Sequence, residues 1–396
     1  MKASPPKPRR YALQLRHANA CVMLGIALAS AGAAQAGNKP YSYYVTGNAD
    51  APVSVPAPSA PSFVLMGGGP DVDSAFRWMI ERAGIKPGSG GRIVIIRATG
   101  TDAYDPYIYY SDAASTTSST AADGWVGGAA LGVSSVETLV IPSVSAANDD
   151  FVNSIVGRAN AVFIAGGDQS DYIRFWKGTK LEATLNRLMA QNVPLGGTSA
   201  GLAVLGQFDY AALNGSVTTS QALSDPFNKY MTLDPNPLAG RGFITPAALA
   251  YTITDTHLDT RDRMGRLVAF TARLVAQSGN TGCAGGILPA GSAGNAARGI
   301  GVDVETALLV QGNGNGGPVT ARRITNPSTT TESAVYFVRP SVAPSSCAAK
   351  TPLAMYSVEI RKLADSNATF NLSDWSGLPI YKTVDAVAGQ LSASPY

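Results

Sequence analysis

Apolar residues return along this chain in two alternating rhythms: short continuous runs, and longer stretches where they recur every three or four positions. Phe63-Val64-Leu65-Met66 is the first short run, and it ends in Gly67-Gly68-Gly69. Behind it, Val72, Phe76, Met79 and Ile80 share one helical face. Arg92 to Ile96 reads as a second strand ending in Thr99-Gly100. Glu137 to Ile141 and Ala161 to Ile164 repeat the strand pattern, with a helix predicted over 146–159 between them. Tyr172, Phe175, Leu181, Leu185 and Leu188 give residues 170–191 a helical period. Val193-Pro194-Leu195 then reads as a short strand, and Ala200 to Leu205 as the start of a helix. Strands spaced by helices of roughly 10–20 residues call for a parallel sheet covered on both faces. The expected fold is α/β: a three-layer, doubly wound, mostly parallel sheet with helices on both faces and a small C-terminal β-rich extension.

Other stretches lack this alternation. Residues 37–61 carry Pro52, Pro56, Pro58 and Pro61 among small residues, and read as an irregular lead-in. Residues 101–130 are rich in Ser, Ala, Tyr, Asp and Gly, and read as a long loop or insertion. Ala250 to Thr254, Gly299 to Val310, Ala334 to Val338 and Met355 to Ile360 are strand-like. They either extend the sheet or form an accessory one. The expected organisation is a targeting segment over 1–36, the lead-in over 37–61, a main domain over 62–310, and the β-rich extension over 311–396 packed on that domain.

Composition supports a folded chain: 45% of the 396 residues are apolar and 14% charged, enough for a substantial core. The first 36 residues stand apart. Lys2, Lys7, Arg9, Arg10 and Arg16 form a basic start, an apolar run from Cys21 to Ala31 follows, and Ala34-Gln35-Ala36 closes it. That is the three-part pattern of a secretory signal, with cleavage expected after Ala36 and the protein outside the cytoplasm. Removing its five basic residues from the 30 of the whole leaves 25 against 27 acidic ones, a balance of −2. The remaining chain gives no electrostatic reason to bind nucleic acid. No membrane association is expected after cleavage. Cys283 and Cys347 remain as a pair that an oxidising compartment would bridge. One remaining histidine and no close cysteine pair argue against zinc, and no cofactor is expected.

The chemistry centres on Gly197-Thr198-Ser199-Ala200-Gly201. In G-x-S-x-G a strand turns sharply into a helix at the serine, which is left exposed beside the helix N–H groups. A serine nucleophile needs a base. His17 lies in the targeting segment, so His257 is the sole candidate, at the end of the apolar run from Ala250. Active sites of α/β folds gather at such strand ends. Arg261, Arg263 and Arg266 follow; the last two are spaced to share a helix face, and arginines at a helix start suit a carboxylate. Ala165-Gly166-Gly167-Asp168-Gln169 ends another strand. The N–H groups of Gly167 and Ala200 are candidate oxyanion donors, and Gln169 is placed to read a substrate amide or carboxylate.

Together, Gly166-Gly-Asp-Gln169, the serine elbow, Asp255-Thr-His257 with its Arg-x-Arg-x-x-Arg tail, and Gly299-Ile-Gly-Val-Asp303-Val-Glu-Thr-Ala307 resemble the cyanophycinase group of the S51 serine peptidases. The likeness runs over roughly 62–310, and the arginine tail is its most specific part. It implies a fold like that of class I glutamine amidotransferases. It also implies hydrolysis of cyanophycin, a polyaspartate with arginine on each β-carboxyl, to β-Asp-Arg dipeptides. By the same resemblance Ser199 is the nucleophile, His257 the base, and Gln169, Arg261, Arg263 and Arg266 recognise substrate. The family often reads Asp-Glu-x-Thr-Ala in the last segment, where this chain has Val304 for the glutamate. Glu305 is therefore the expected orienting acid, with Asp303, or an acid between Ser199 and His257 such as Asp209 or Asp225, as alternatives.

Two other readings compete. One is a related peptidase for short Asp-containing or isoaspartyl peptides. The other is a non-catalytic secreted binding protein, against which the retention of both Ser199 and His257 speaks. The oligomeric state is open, a homodimer included.

Overall fold

Side chains along three strands of one sheet alternate between two cores, and this alternation sets the layers. Phe63, Leu65, Val94, Ile96, Val162 and Ile164 face one core, while Val64, Met66, Ile93, Ile95, Ala161 and Phe163 face the other. Period-two alternation with both faces apolar is the mark of a sheet buried on both sides. The computed structural model describes residues 39–110, 125–314, 316–327, 329 and 332–396. The targeting segment over 1–36 lies outside the described residues, as does part of the expected loop, 111–124.

In chain order the strands are β1 (Ser42–Gly47), β2 (Ser62–Met66), β3 (Gly91–Arg97), β4 (Val133–Val140), β5 (Ala161–Ile164) and β6 (Leu195–Thr198). Then come β7 (Asp209–Tyr210), β8 (Leu233–Asp234), β9 (Thr252–Thr256), β10 (Arg298–Val302) and β11 (Thr306–Gln311). The last are β12 (Thr320–Thr325), β13 (Val335–Pro340), β14 (Met355–Leu363), β15 (Phe370–Asn371), β16 (Lys382–Val387) and β17 (Gln390–Leu391). The main sheet has nine strands in the order β1-β4-β3-β5-β6-β2-β11-β12-β15. Its centre, from β4 to β2, is parallel throughout. Antiparallel strands border it on both sides. Helices Asp73–Arg82 and Tyr104–Tyr110 cover one face; Asp150–Gly157, Gln169–Trp176 and Lys180–Ala190 cover the other.

A second sheet has six strands in the order β17-β16-β14-β13-β10-β9. Both expectations for the later strands are realised: most form an accessory sheet, which starts before residue 311, and β11 extends the main sheet. The run Gly299 to Val310 divides: β10 pairs in the second sheet, β11 in the first, and Asp303–Glu305 carry the chain between them. The second sheet packs Ile300, Val302 and Phe337 towards the main sheet, and Tyr336, Val338 and Ile360 towards a core with helix Met264–Leu274. A disulfide joins Cys283 to Cys347.

Three local expectations change. Residues 37–61 are not wholly irregular, because Ser42–Gly47 forms an edge strand against β4; its Tyr-Tyr-Val-Thr core has high β propensity, and the prolines come later. The helix over 170–191 is two helices, separated at Gly178, whose φ of +76° breaks the turn. The expected loop over 101–130 contains the helix Tyr104–Tyr110, in which Ile108 is buried.

Candidate active site

Ser199 sits between β6 and the short helix Ala200–Ala203 with φ 52° and ψ −118°. For a non-glycine residue this is a strained conformation, costing roughly 1–3 kcal/mol. The flanking glycines explain how the turn closes. A Cβ on Gly197 would lie 2.5 Å from the carbonyl of Gly201, and one on Gly201 would lie 2.0 Å from the Ile164 oxygen. The elbow thus folds onto itself and onto the end of β5, and only glycine permits both approaches. A Cβ on Gly166 would sit 3.5 Å from the Ser199 Cβ, so the end of β5 passes beside the serine.

His257 follows β9 and holds a φ of 48°. Its N–H donates to the Gly67 carbonyl at 2.9 Å, and its Nε2 lies 2.9 Å from Ser199 Oγ. With the proton on Nδ1, Nε2 accepts the hydroxyl hydrogen. The imidazole is pushed down to about 4, first by burial and then by the charges of Arg261 and Arg263. It is therefore neutral at neutral pH, the state a general base requires.

Gly68 completes this contact and went unassigned in the sequence. A Cβ there would fall 2.3 Å from His257 Nε2, and its φ is +97°. Gly67 is equally constrained, because its Cβ would meet the Asp303 carbonyl at 1.9 Å. The triple glycine after β2 is thus the floor on which the ring and the 303–305 crossover rest. The one sequence signal was its place at a strand end.

The orienting acid is a different matter. Glu305 also holds a positive φ, 55°, and its N–H donates to the Gly68 carbonyl at 2.9 Å. Its backbone belongs to the site, yet among the described residues no carboxylate bonds the His257 ring. Asp303 is committed elsewhere: it accepts from Asp259 N at 3.1 Å and Ala334 N at 2.8 Å. Burial and the nearby Asp259 push its carboxyl up to about 7. Asp209 is buried with neither oxygen bonded, and Asp225 accepts from Phe227 N at 2.9 Å. Asp259, absent from the sequence candidates, is one of two carboxylates whose charge stabilises protonated His257; its Oδ1 accepts from Val304 N at 3.2 Å.

The three arginines separate. Arg266 is 1% exposed and pairs with Asp255 through two bonds of 2.7 and 2.6 Å. Its remaining nitrogen donates to Ser216 Oγ and Val217 O, each at 3.1 Å. The guanidinium also lies over the Tyr210 ring at 4.9 Å. The expectation that Arg266 contacts substrate is therefore corrected: its donors are spent inside the protein and it braces the His257 loop. The shared-face argument fails because Arg263 precedes the helix as its N-cap. Arg263 is half-buried, donates to Thr256 O at 2.9 Å, and is lowered to about 10 by burial. Arg261 is exposed, and its side chain has no bonding partner among the described residues.

The other predicted residues lie at the end of β5. Gly167 is exposed, Asp168 caps the next helix through Ser170 N at 2.8 Å, and Gln169 opens that helix half-buried. Ala200 is the first residue after Ser199, where helical N–H groups lack an intrahelical acceptor.

An α/β sheet that presents a strained serine to a neutral histidine at its parallel strand ends defines the serine hydrolase class. The model of peptidase family S51 matches residues 128–221, from just before β4 through the Gly-Gly-Asp-Gln corner and the serine elbow. Over this segment the chain is similar to that family of serine-type peptidases. The chain is similar to the cyanophycinases of Trichormus variabilis and Nostoc sp., at 29% identity over 143 residues in each case. That alignment covers 36% of this chain and 43% of each relative, so it spans less than half their length. A crystal structure of a peptidase from an acI-B1 Actinobacterium aligns over 79% of this chain and 97% of its own, with 14% identity and a TM-score of 0.41. At that score the likeness carries no conclusion about the site.

Proposed function

We propose that this protein is a secreted serine peptidase that cleaves cyanophycin to β-Asp-Arg dipeptides through an acyl-enzyme. The observation that carries this reading is the 2.9 Å contact between Ser199 Oγ and His257 Nε2, set beside the unbonded guanidinium of Arg261. In this reading Nε2 takes the hydroxyl proton as Oγ attacks the scissile carbonyl. The N–H groups of Gly167 and Ala200 receive the oxyanion. The imidazolium returns its proton to the leaving amine, and water, deprotonated by the same ring, releases the acyl group. Arg261 and Arg263 hold free carboxylates of the substrate, which in cyanophycin are the α-carboxylates of its arginines, and Gln169 reads the substrate from the end of β5. Glu305 or Asp259 supplies the charge that supports the imidazolium.

The polymer reading rests on the resemblance and the distant relatives, together with a cationic flank suited to a carboxylate-bearing substrate. One specific observation favours the narrower alternative, a peptidase for short isoaspartyl peptides: Arg266 is withdrawn from the cleft, leaving fewer forks for a chain with many carboxylates. Incubation with insoluble cyanophycin separates the two. Release of β-Asp-Arg by the wild type, absent in Ser199→Ala, is the expected result. Intact granules alongside cleavage of β-Asp dipeptides would transfer the assignment to the alternative. Secretion is tested by recovering a protein that starts at Gly37 from outside the cytoplasm.

A further inference from the structure

The helix Gln169–Trp176 begins just after β5 brings the Gly166-Gly167 corner beside Ser199. One turn apart on its buried face, Tyr172 and Trp176 stack at 4.3 Å with an interplanar angle of 11°. Their exposures are 1% and 0%. Trp176 Nε1 donates to Ile141 O at 2.9 Å, which ties the stack to the end of β4. The Tyr172 hydroxyl donates to Ala165 O at 2.7 Å. Burial pushes the phenol up, so it remains a donor. Ala165 N donates to Ile96 O at 3.0 Å, so both backbone polar groups of this residue are held.

Beyond Ala165 come two glycines, whose backbones hold no single conformation by themselves. A Cβ on Gly167 would fall 2.8 Å from the Tyr172 hydroxyl oxygen. A Cβ on Gly201 would lie 3.0 Å from Ala165 O, so that carbonyl sits between the serine elbow and the phenol. The corner 165–167 is thus gripped from two sides, by the nucleophile's own turn and by one buried hydroxyl. We propose that Tyr172 is a positioning residue whose hydroxyl fixes this corner so that Gly167 N–H faces the carbonyl oxygen of the bond Ser199 attacks. The same contact restricts position 167 to glycine. This role rests on the serine peptidase reading and adds to it a residue that never touches substrate. Without the hydroxyl, Ala165 O loses its donor and the two glycines can turn the Gly167 N–H away. The loss then falls on the transition state, where the oxyanion forms, and spares ground-state binding.

The test compares fluorophosphonate labelling of Ser199 in wild type, Tyr172→Phe, Gly167→Ala and the double variant. Tyr172→Phe keeps the ring and its stack on Trp176. Its maximal labelling rate should fall at least about tenfold, part of the roughly 100- to 1000-fold that one oxyanion donor supplies. The half-saturating probe concentration should not change. Gly167→Ala should cost at least about tenfold where the hydroxyl is present and less than about threefold in the Tyr172→Phe background. A side chain needed only for stability would shift the thermal midpoint and leave no such coupling. Unchanged labelling in Tyr172→Phe, a change confined to half-saturation, or equal losses from Gly167→Ala in both backgrounds overturns the proposal. If Tyr172→Phe does not fold, Gly167→Ala labelling as fast as wild type overturns it alone. Wild type that does not label sinks the peptidase reading and this role with it. Labelled wild type with any of the contrary results sinks the role alone.

Discussion

The imidazole of His257 occupies the space where a side chain at position 68 would be: a Cβ on Gly68 would lie 2.3 Å from Nε2. Gly68→Ala therefore displaces the ring from Ser199 or forces the loop at φ +97° to rearrange. A displacement of about 1 Å costs on the order of 100-fold in rate. The expected outcome is a loss of at least about that size in kcat/KM with the fold retained by circular dichroism. Full activity in Gly68→Ala would show that the ring does not act from this position.

The depressed imidazole sets the pH dependence. The active form has neutral His257, so kcat/KM should be flat from neutral pH downward and fall only as pH passes through about 4. Arg261 is among the charges that disfavour protonation. Removing it in Arg261→Gln raises the pKa and moves the acid limb to higher pH. The labelling rate with a small fluorophosphonate, measured against pH, reads this without involving substrate recognition. An acid limb near the ordinary histidine value in wild type, or a shift to lower pH in the variant, would contradict the electrostatic account.

Arg261 and Arg266 should fail in opposite ways. Arg266→Ala leaves Asp255 buried without its partner, which costs about 3–5 kcal/mol. Denaturant unfolding should register that loss directly. Arg261→Ala lies at the surface and should leave stability within about 0.5 kcal/mol while raising KM for an acidic substrate. Similar stability losses in the two variants would contradict the division between brace and contact.

Tyr396 reaches back 138 positions to hold the loop that follows His257. Its hydroxyl donates to Leu258 O at 2.8 Å and accepts from Met264 N at 3.1 Å, clasping both ends of the segment that carries Arg261 and Arg263. Tyr396→Phe removes both bonds while keeping the ring. We expect a stability loss of about 1–3 kcal/mol and a fall in kcat that exceeds any change in KM. Unchanged unfolding and unchanged kcat would show that the clasp is idle.

The sequence revealed those parts of the site that depend on local pattern. Ser199 was legible because G-x-S-x-G carries its own geometry: the glycines answer to contacts within the elbow and at the end of β5. His257 was legible by elimination, once His17 was assigned to the targeting segment. The central parallel strands were legible because apolar runs and helical periods alternate. The role of Gly68 was not, because it depends on β2 ending beside the loop after β9, which no local pattern encodes. Arg266 was misread because spacing of three implies a shared face only inside a helix, and Arg263 stands before the first turn. The division of Gly299–Val310 between two sheets was hidden for a similar reason. Asp303-Val-Glu305 has no glycine or proline, so the crossover is made by a non-glycine residue at φ 55°.

Activation of Ser199 by His257 is tested most directly by mass spectrometry after fluorophosphonate treatment. The account predicts one adduct on the peptide carrying Ser199, absent in Ser199→Ala and slowed by several orders of magnitude in His257→Ala. Folded wild-type protein that remains unlabelled at Ser199, or labels equally fast without the histidine, would contradict it.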